Sequence, residues 1–523
     1  MSLIRSLPLI LTCVLTAGAA DEASHASDVL WSMNPGGAAD PQSGSGSGEF
    51  VPDAGRGGVL VVTNGNPAQT VQRAFVLPLV KLRGRFVFVS AEVKAENVSA
   101  KPKSWNGIKV MTRLDTPSGP QWPQPEIPVG SFGWQRFSSR LTVPPDATAA
   151  TLVLGLEQVS GRVAFANVRV TFARDIVTVP DAPPDQPIFR GHSSPPLRGA
   201  MIAPVSLTEK DLAVLTRGWG ANLLRWQLIR NQVPPNETGF ADYDQWIERE
   251  LARLDRGLLW ADKMGAKVVV DLHSPPGGKP TSSGYQAAIG SIWTDLGAQA
   301  RFIEVWRGIA ARYKDDHRVW GYDLVNEPDD NNVAEGCDDW QNLALRAGRA
   351  AREIDPGCTL IVEPTSWGSP EGFVGFQPVP LTNVVYSFHM YNPHEFTHQG
   401  VFGPSAPITY PGRIAGAMWD KAALEKSIGP AIEFARRYRV HMYVGEFSAI
   451  RWAPGAEKYL DDLISIFESH GWDWSYHAFR EWDGWSVEYG PDKDDHNPAV
   501  QPPTRQKVLC KWLKAGEVGR QTN

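Results

Sequence analysis

The chain has 523 residues, of which 42% are hydrophobic and 21% are charged, and this composition excludes a mostly disordered protein. At about 150 residues per domain, the length predicts two to four domains. The 51 Lys and Arg against 57 Asp and Glu give a formal net charge of −6, which offers no attraction to nucleic acid or to an anionic membrane. Tryptophan is abundant, with 20 residues, and its flat apolar face suits large cores as well as platforms for ring-shaped ligands.

The first 20 residues have the pattern of a secretory signal peptide. Arg5 precedes an apolar run from Leu7 to Leu15, and small residues follow at positions 17–19, as a signal peptidase requires. The run is shorter than the about 20 apolar residues of a membrane span, and no other stretch is long and apolar enough. We therefore expect a signal peptide over residues 1–20, no membrane span, and a secreted or periplasmic protein.

The cysteines exclude a scaffold based on disulfides. Removal of the signal peptide leaves Cys337, Cys358 and Cys510, which allow at most one internal disulfide. The sequence leaves open whether any two of them pair.

Short alternating stretches of apolar and polar residues, separated by Gly, Pro and Ser, fill residues 28–175. Phe86–Val93 and Val163–Val170 are typical of strands, and no amphipathic run of helical length interrupts them. This pattern predicts an all-β sandwich of jelly-roll type. The Pro-rich residues 176–196 that follow predict a stiff linker.

Beyond the predicted linker, short apolar strands alternate with longer helical patterns over residues 197–515. Near-continuous apolar strands indicate a parallel sheet buried on both faces, and eight repeats predict a (β/α)8 TIM barrel in the α/β class. A doubly wound open sheet is the alternative, but no Gly-rich phosphate loop follows the first strand. The predicted strands are Gly199–Ile202, Ala221–Arg225, Lys267–His273, Trp320–Asn326, Thr359–Val362, Val384–His389, Met442–Glu446 and Asp473–His477.

Polar side chains lie at the carboxyl ends of five of these strands, where barrel enzymes place their active sites. A single residue of this kind is usually a helix cap or a loop contact, but the repetition on five strands predicts a shared site. The residues, in chain order, are Arg225, His273, Asn326, Glu327, His389, Tyr391 and Glu446.

Glu327 and Glu446 are the pair that predicts the chemistry, because strands four and seven would bring them together across the barrel mouth. Two facing carboxylates acquire different proton affinities, since each disfavours ionisation of the other. Cleavage of a glycosidic bond needs this asymmetry: one carboxylic acid protonates the leaving oxygen while the other attacks the anomeric carbon. We expect Arg225 and Tyr391 to hold Glu446 ionised, and Asn326 to bind the sugar 2-hydroxyl.

The segment Trp320–Pro328 resembles the acid/base signature of family 5 glycoside hydrolases, the cellulase family. The resemblance extends over about residues 197–512, with the motifs in the family's order. It implies that Glu327 is the general acid/base and Glu446 the nucleophile of a retaining reaction with a covalent glycosyl-enzyme intermediate. It also implies that His273, His389 and Tyr391 position the substrate and the nucleophile. The other matching segments are Leu224–Trp226, Asp271–His273, Ser387–Tyr391 and Val444–Phe447.

The resemblance is looser after the eighth strand, where the family usually has a Trp under the sugar beside the cleaved bond. Trp482 is the predicted counterpart, with Phe479 and Trp485 as alternatives. Arg480, Glu481 and Asp483 in the same segment carry more charge than a plain cellulose cleft needs, and they leave the identity of the sugar open.

Aromatic and histidine side chains elsewhere are further candidates for sugar binding or for loop packing. Around the barrel mouth these are Trp226, Trp367, Phe396, His394 and His398. His394 and His398 with Glu395 are also a candidate metal site, but their spacing is typical of a loop, and we expect no metal and no cofactor. The predicted sandwich is similar to jelly-roll carbohydrate-binding modules, with a purely supporting domain as the alternative; its candidate stacking residues are Trp105, Trp122 and Trp134.

These observations predict a secreted, monomeric, retaining β-glycoside hydrolase that cleaves β-linked polysaccharide, with endo-β-1,4-glucanase as the leading activity. The alternatives are the same chemistry on mannan, xylan or a short oligosaccharide with exo action, and a non-catalytic glycan-binding protein. Loss of either glutamate would have favoured the binding protein, and both are present.

Overall fold

The computed structural model describes residues 29–33, 44–230, 239–281, 284–286, 291–330, 333–403 and 406–515. The predicted signal peptide over residues 1–20 lies outside the described residues. The chain divides into two compact units, Met1–Ile176 and Val177–Asn523. Within the described ranges, no helix has both the length and the apolar character that crossing a membrane requires.

The first unit is rich in strands, as predicted, and they form one antiparallel sheet of six strands and one of five. Apolar side chains such as Leu60, Val89, Leu152 and Phe165 are fully buried in a shared core, as in packed antiparallel sheets. The strands are β1 Val29–Ser32, β2 Ser45–Gly46, β3 Glu49–Asp53, β4 Gly57–Asn64, β5 Thr70–Val76, β6 Arg85–Val98, β7 Gly107–Thr116, β8 Gly119–Gln121, β9 Gly130–Val143, β10 Ala149–Glu157 and β11 Gly161–Asp175, with one short helix, α1 Leu79–Leu82.

The two sheets draw on strands from the whole length of the first unit. The larger sheet has the order β3-β4-β11-β6-β9, with β1 paired to β11, and the smaller has the order β2-β5-β10-β7-β8. The jelly-roll type and the role of this unit stay predictions.

The second unit contains a closed eight-stranded parallel barrel, which confirms the predicted (β/α)8 fold. Its order is β12-β13-β14-β17-β18-β19-β22-β23, and two short hairpins, β15-β16 and β20-β21, lie outside it. The strands are β12 Arg198–Ile202, β13 Leu223–Gln227, β14 Lys267–Asp271, β15 Lys279–Thr281, β16 Gly284–Gln286, β17 Val319–Asp323, β18 Leu360–Val362, β19 Val384–Met390, β20 Gly412–Ile414, β21 Ala417–Trp419, β22 Met442–Phe447 and β23 Asp473–Phe479.

Helices cover the barrel, and local capping determines where several of them begin. Asp339 accepts a hydrogen bond from the Asn342 amide at the start of one helix, and Thr208 forms a reciprocal capping box with Asp211 at the start of another. The helices are α2 Glu209–Ala213, α3 Ala241–Met264, α4 Leu296–Tyr313, α5 Trp340–Ile354, α6 His394–Thr397, α7 Lys421–Ser427, α8 Gly429–Tyr438, α9 Ala456–Ser469 and α10 Thr504–Lys514.

Side chains inside the barrel close its amino-terminal half. Leu223, Val269, Ile361, Val385 and Tyr443 form a buried cluster that belongs to neighbouring strands. Because strand residues alternate between the two faces, the inward position two residues after Leu223 is that of Arg225. The apolar cluster is therefore the floor on which the polar layer at the carboxyl ends rests.

Most of the predicted linker over residues 176–196 belongs to the second unit, which begins at Val177, and several of its residues are hydrogen-bonded within that unit, while its role as a linker stays a prediction. The Val179 amide donates to Gln377 Oε1 at 2.9 Å, and the Ala182 amide donates to the Arg437 carbonyl at 2.9 Å. Further along, His192 contacts the buried Asp473 at 2.9 Å. Proline composition indicated a stiff segment, but composition gives no information on which surface such a segment contacts.

Candidate active site

Every polar residue that the sequence placed at a strand end lies at the carboxyl-terminal mouth of the barrel. Arg225 lies on β13, His389 on β19 and Glu446 on β22. His273 and Glu327 lie just beyond the ends of β14 and β17, in the loops that follow. The strands therefore aim the side chains inward, and the loops bring the remaining groups over them.

Arg225 is the centre of the site and is completely buried. Its Nη1 donates to Glu446 Oε1 at 2.5 Å, and its Nε and Nη2 both donate to Asp323 Oδ2, at 3.1 and 2.9 Å. Nη2 also donates to Asn326 Oδ1 at 3.1 Å and to Glu363 Oε1 at 3.1 Å. One guanidinium thus holds three carboxylates and an amide in fixed positions.

The carboxylates around Arg225 outnumber its single charge, since Asp271 also lies 3.3 Å from Nη2. Burial raises the pKa of Asp323 well above its usual value, and Glu363 and Asp271 raise it further, although Arg225 opposes them. Burial and the neighbouring acids therefore oppose ionisation of Asp323, and the two hydrogen bonds from Arg225 favour it.

Glu446 is held as a carboxylate. Burial works to raise its pKa, but the charges of His389, His477, Arg225 and His273 outweigh burial and lower it. Its second oxygen, Oε2, accepts a hydrogen bond from the Tyr391 hydroxyl at 2.9 Å. An ionised, doubly hydrogen-bonded carboxylate is a suitable nucleophile.

The residue before Glu446 is glycine for a steric reason. A Cβ at Gly445 would lie 2.8 Å from Ser387 Oγ and 3.0 Å from His389 Nε2. The close approach of β22 to β19 at this level therefore depends on the missing side chain.

Glu327 is presented by a backbone in the left-handed region, with φ of 47°. Its amide N–H donates to Glu363 Oε2 at 2.8 Å, which fixes this conformation. Its Oε1 lies 2.9 Å from His389 Nδ1. One carboxylate oxygen each from Glu327 and Glu446 and a ring nitrogen of His389 all lie within 4.8 Å of one another. The two glutamates predicted from the sequence therefore do face one another.

His389 lies between acidic groups on both sides of its ring. Its Nδ1 contacts Glu327, and its Nε2 lies 3.1 Å from Glu363 Oε1. Burial works to lower the pKa of His389, but Glu363, Glu446 and hydrogen bonding to Glu327 raise it well above its usual value. His389 therefore contributes a positive charge between the two glutamates.

His273 is held by the acid two residues before it. Its Nδ1 lies 3.0 Å from Asp271 Oδ2. Burial works to lower the pKa of His273, but Asp271 and Glu446 raise it, with Arg225 opposing them.

A chain of polar contacts extends from Tyr391 to the loop after β23. The Tyr391 hydroxyl lies 2.7 Å from His477 Nδ1, and His477 Nε2 lies 3.2 Å from Glu481 Oε2. The Gln227 amide also donates to Glu481 Oε2 at 3.2 Å. His477 was not among the predicted site residues, although it ends the predicted eighth strand as the other site residues end theirs.

Trp485 packs against the aromatic rings that lie beside Glu446. Its ring centroid lies 5.4 Å from that of His477 and 6.1 Å from that of Tyr391. Trp482 is 42% exposed and packs at the rim against Trp452 and Trp485. Phe479 is buried and packs on Trp219. A stacking role for Trp482 stays a prediction, and Trp485 is the residue that contacts the polar layer.

Two of the expected stacking residues are buried in the core. Trp226 packs so closely on α3 that a Cβ at Gly257 would overlap its ring, and Phe396 packs between Tyr410 and Tyr459. Trp367 is 38% exposed and stays available to a ligand. An aromatic residue close to a strand end can point into the core between barrel and helices or toward the barrel mouth. Its burial was therefore not predictable from its position in the sequence alone.

His394 and His398 stack with ring centroids 3.9 Å apart. Burial lowers the pKa of His398 to about 3, with His394 and His477 adding to the effect, and burial also lowers the pKa of His394. Two neutral, parallel rings form an apolar surface beside Tyr391, whose ring centroid lies 5.1 Å from that of His398.

Two groups in the described part of the chain have enough converging atoms to be considered for a metal: Glu327, His389 and Glu446 in the site, and His192, His441 and Asp473 at the amino end of the barrel. In the second group both imidazoles contact the same oxygen, Asp473 Oδ2, at 2.9 and 2.6 Å. Hydrogen bonds account for these contacts, and we assign no metal to either group. The expectation of no cofactor stays a prediction.

The buried acids Asp271, Asp323 and Glu363 belong to the site but were not among the residues predicted for it. The sequence pattern that would have identified them was present, because each is a carboxylate at the carboxyl end of an apolar strand, as Glu446 is.

Cys337, Cys358 and Cys510 are free thiols.

Comparison with known proteins identifies this arrangement. The family model described as cellulase (glycosyl hydrolase family 5) matches residues 184–482, more than half of the chain. Endoglucanase C of Acetivibrio thermocellus is 28% identical over 300 residues, which are 52% of this chain and 84% of that protein. Cellodextrinase A of Ruminococcus flavefaciens is 27% identical over 285 residues, 52% of this chain and 79% of that protein. The structure of endoglucanase Cel5A of Thermotoga maritima covers 61% of this chain and 96% of its own, at 23% identity and a TM-score of 0.45. The family match over residues 184–482, on a barrel whose mouth holds two facing glutamates, shows that this chain belongs to glycosyl hydrolase family 5.

Proposed function

We propose that the protein is a retaining endo-β-1,4-glucanase in which Glu446 is the nucleophile and Glu327 the general acid/base. The observation that carries the mechanism is the approach of the two carboxylates, with oxygens within 4.8 Å of one another. Retaining glycosidases place these groups about 5–5.5 Å apart, whereas inverting enzymes leave about 6.5–9.5 Å for a water molecule.

The first step forms a bond between Glu446 and the sugar. Glu446 Oε attacks the anomeric carbon while Glu327 gives its proton to the glycosidic oxygen, so that the C–O bond breaks and the leaving chain departs as an alcohol. Arg225 and Tyr391 hold the attacking carboxylate in place, and the lowered pKa of Glu446 keeps it ionised at the pH of the reaction.

The second step releases the sugar. Glu327, now a carboxylate, takes a proton from water as the water oxygen attacks the anomeric carbon, and the bond to Glu446 breaks. Glu446 returns to a carboxylate paired with Arg225, and Glu327 is again protonated. Two inversions at one carbon retain the configuration.

The remaining polar groups support these steps. Asn326 is fixed by Arg225 through its Oδ1, and we propose that it binds the sugar hydroxyl next to the anomeric carbon. His389 lies between both glutamates, where it orients Glu327 and stabilises charge on Glu446. His273 and Trp482 complete the proposed substrate-binding set at the mouth.

The choice of β-1,4-glucan rests on the relatives. Endoglucanase C, at 28% identity, supports internal cleavage of β-glucan. Cellodextrinase A supports the alternative of a shorter oligosaccharide. Mannan and xylan stay open as substrates of the same chemistry, because the polar groups around Glu446 do not by themselves select one sugar.

A panel of soluble polysaccharides tests this proposal. We expect carboxymethylcellulose and mixed-linkage glucan to be cut to oligomers of mixed length, faster than mannan or xylan. Glu446→Gln should abolish cleavage, and Glu433→Gln, an exposed pair partner of Arg436, should leave it unchanged. Release of a single short product from chain ends, or no cleavage of any glucan, would contradict an endoglucanase.

For the first unit we propose glycan binding. Trp105 and Trp122 are 58% and 47% exposed, which a stacking residue requires, and Trp134 is half-buried. A cation lies over each of the three rings: Lys103 at 5.1 Å, Arg113 at 5.3 Å and Arg56 at 4.5 Å, respectively. We expect Trp105→Ala or Trp122→Ala in the full chain to weaken retention on insoluble glucan. Retention unchanged in both variants would favour the supporting role.

We also propose that the protein is secreted or periplasmic and monomeric. The apolar run and the small residues over residues 1–20 support export. Cell fractionation and light scattering of the purified protein test the two statements.

A further inference from the structure

The Tyr391 hydroxyl contacts two groups but has only one proton to donate. Glu446 Oε2 lies at 2.9 Å and His477 Nδ1 at 2.7 Å. Burial raises the pKa of Tyr391 well above its usual value, and Glu446 and Glu327 raise it further, so the phenol keeps its proton. An ionised carboxylate can only accept, so Tyr391 donates to Glu446 and its oxygen accepts from His477 Nδ1–H.

The other ring nitrogen of His477 faces a second carboxylate. Nε2 lies 3.2 Å from Glu481 Oε2, which also accepts from the Gln227 amide. Because this oxygen accepts the N–H of Gln227, it is an acceptor toward His477 as well, and the pKa of Glu481 is lowered by His477 and His273 against the effect of burial. Both nitrogens of His477 are then donors, which makes the ring an imidazolium.

We propose that His477 is a positioning residue of the nucleophile: held by Glu481, it fixes the Tyr391 proton on Glu446 and adds a positive charge beside that carboxylate. This proposal rests on the assignment of Glu446 as the nucleophile. A phenol free to turn its proton elsewhere would leave one oxygen of the nucleophile without its donor, and a small misplacement of reacting groups is costly.

Several charged or titratable groups face this chain of contacts from the surrounding strands and loops. Burial works to lower the pKa of His477, while Glu481, Glu446 and Glu327 raise it. The groups that face His477 are Glu481, Tyr391, Glu446, Glu327 and His398. His273 faces Glu481 and Glu446, and Arg225 and His389 also face Glu446.

Two substitutions of His477 separate its hydrogen bond from its charge. His477→Phe keeps a ring but removes the donor, and we expect kcat on an aryl β-cellobioside to fall about 10- to 100-fold with little change in KM. His477→Asn keeps an N–H near the position of Nδ1, and we expect it to restore most of kcat. His470→Asn, an exposed residue stacked on Trp472, is the matched control and should leave kcat unchanged.

The pH profile reports the charge. In both His477→Phe and His477→Asn the nucleophile loses a neighbouring positive charge, so its pKa rises and the acidic limb of kcat/KM moves to higher pH. An acidic limb that stays in place in both variants would overturn the electrostatic half of the proposal.

A double-mutant cycle tests whether His477 acts through Tyr391. In the Tyr391→Phe background the phenol is absent, so His477→Phe should cost much less than it does in the wild-type background. An equal loss of kcat in both backgrounds would overturn the relay. The proposed function is tested separately from the relay. It stands if the wild-type protein turns the substrate over and Glu446→Gln does not. No turnover by the wild-type protein would contradict the proposed function itself.

Nuclear magnetic resonance of the full chain with 15N-labelled histidine keeps the proposal testable if His477→Phe does not fold. The signals lost in His477→Asn identify the ring, and we expect both of its nitrogens to be protonated near pH 6. A ring with one unprotonated nitrogen would overturn the proposal.

Discussion

Arg225 and Glu446 form an ion pair inside the barrel, with guanidinium Nη1 2.5 Å from carboxylate Oε1 and the arginine completely buried. The same guanidinium holds Asp323, Glu363 and Asn326 through its other nitrogens. The nucleophile proposed here is therefore positioned by a group that also organises the strands on either side. This arrangement connects the stability of the barrel mouth to the reaction that we propose for it.

Substitution of Arg225 should therefore affect folding as well as turnover. Arg225→Met leaves several carboxylates buried without a cation, and we expect the free energy of unfolding to fall by about 3–5 kcal/mol. Denaturant unfolding followed by tryptophan fluorescence measures the loss. Arg436→Met removes an exposed arginine paired with Glu433 and should change stability by less than about 0.5 kcal/mol. Equal stability of Arg225→Met and Arg436→Met would contradict the structural role.

The acid/base role of Glu327 predicts a dependence on the leaving group. Glu327→Ala should slow hydrolysis of substrates with poor leaving groups by about 10²–10⁴-fold, because these need protonation. Activated aryl glycosides need little protonation, and their first step should change far less. The ratio kcat/KM, which reports the first step, measures the difference between a cellooligosaccharide and a dinitrophenyl cellobioside, and an equal loss of kcat/KM on both would exclude this assignment.

The amino end of the barrel predicts a dependence of stability on pH. Burial works to raise the pKa of Asp473, but hydrogen bonds from His192 and His441 lower it to about 2. The unfolded carboxyl titrates near 3.9, so the stabilisation is fully present above that pH and is lost as the pH falls toward 2. From these values the carboxylate contributes about 2–3 kcal/mol at neutral pH.

Asp473→Asn tests this linkage. The difference in unfolding free energy between wild type and variant should be largest above pH 5 and should shrink as the pH falls from about 4 toward 2. A difference independent of pH would show that the carboxylate charge does not contribute.

The barrel and its site were largely predictable because two simple patterns coincide in this chain. Apolar strands such as Lys267–Asp271 are buried on both faces, and polar residues such as Arg225 and Glu446 end them. The predicted strand ends differ from the observed ones by a few residues. His273 and Glu327, for example, lie in the loops that follow β14 and β17.

The parts that were not predictable depend on contacts distant in sequence. Nothing local distinguishes Trp485, which packs on His477 and Tyr391, from Trp482 three residues earlier at the rim. Likewise, the contact of His477 with Tyr391 joins residues from two different strands. Such contacts between residues of different strands form when the barrel closes. The residue pattern of a single strand gives no information on them.

Trapping of the covalent intermediate tests the central claim most directly. A 2-deoxy-2-fluoro cellobioside with a good leaving group allows the first step and slows the second, so the sugar should accumulate on the enzyme. Mass spectrometry of the digested protein should then find the added sugar on the peptide that contains Glu446 and on no other peptide. A sugar bound to Glu327 or to another carboxylate, or continued turnover with no labelled peptide, would contradict the assignment.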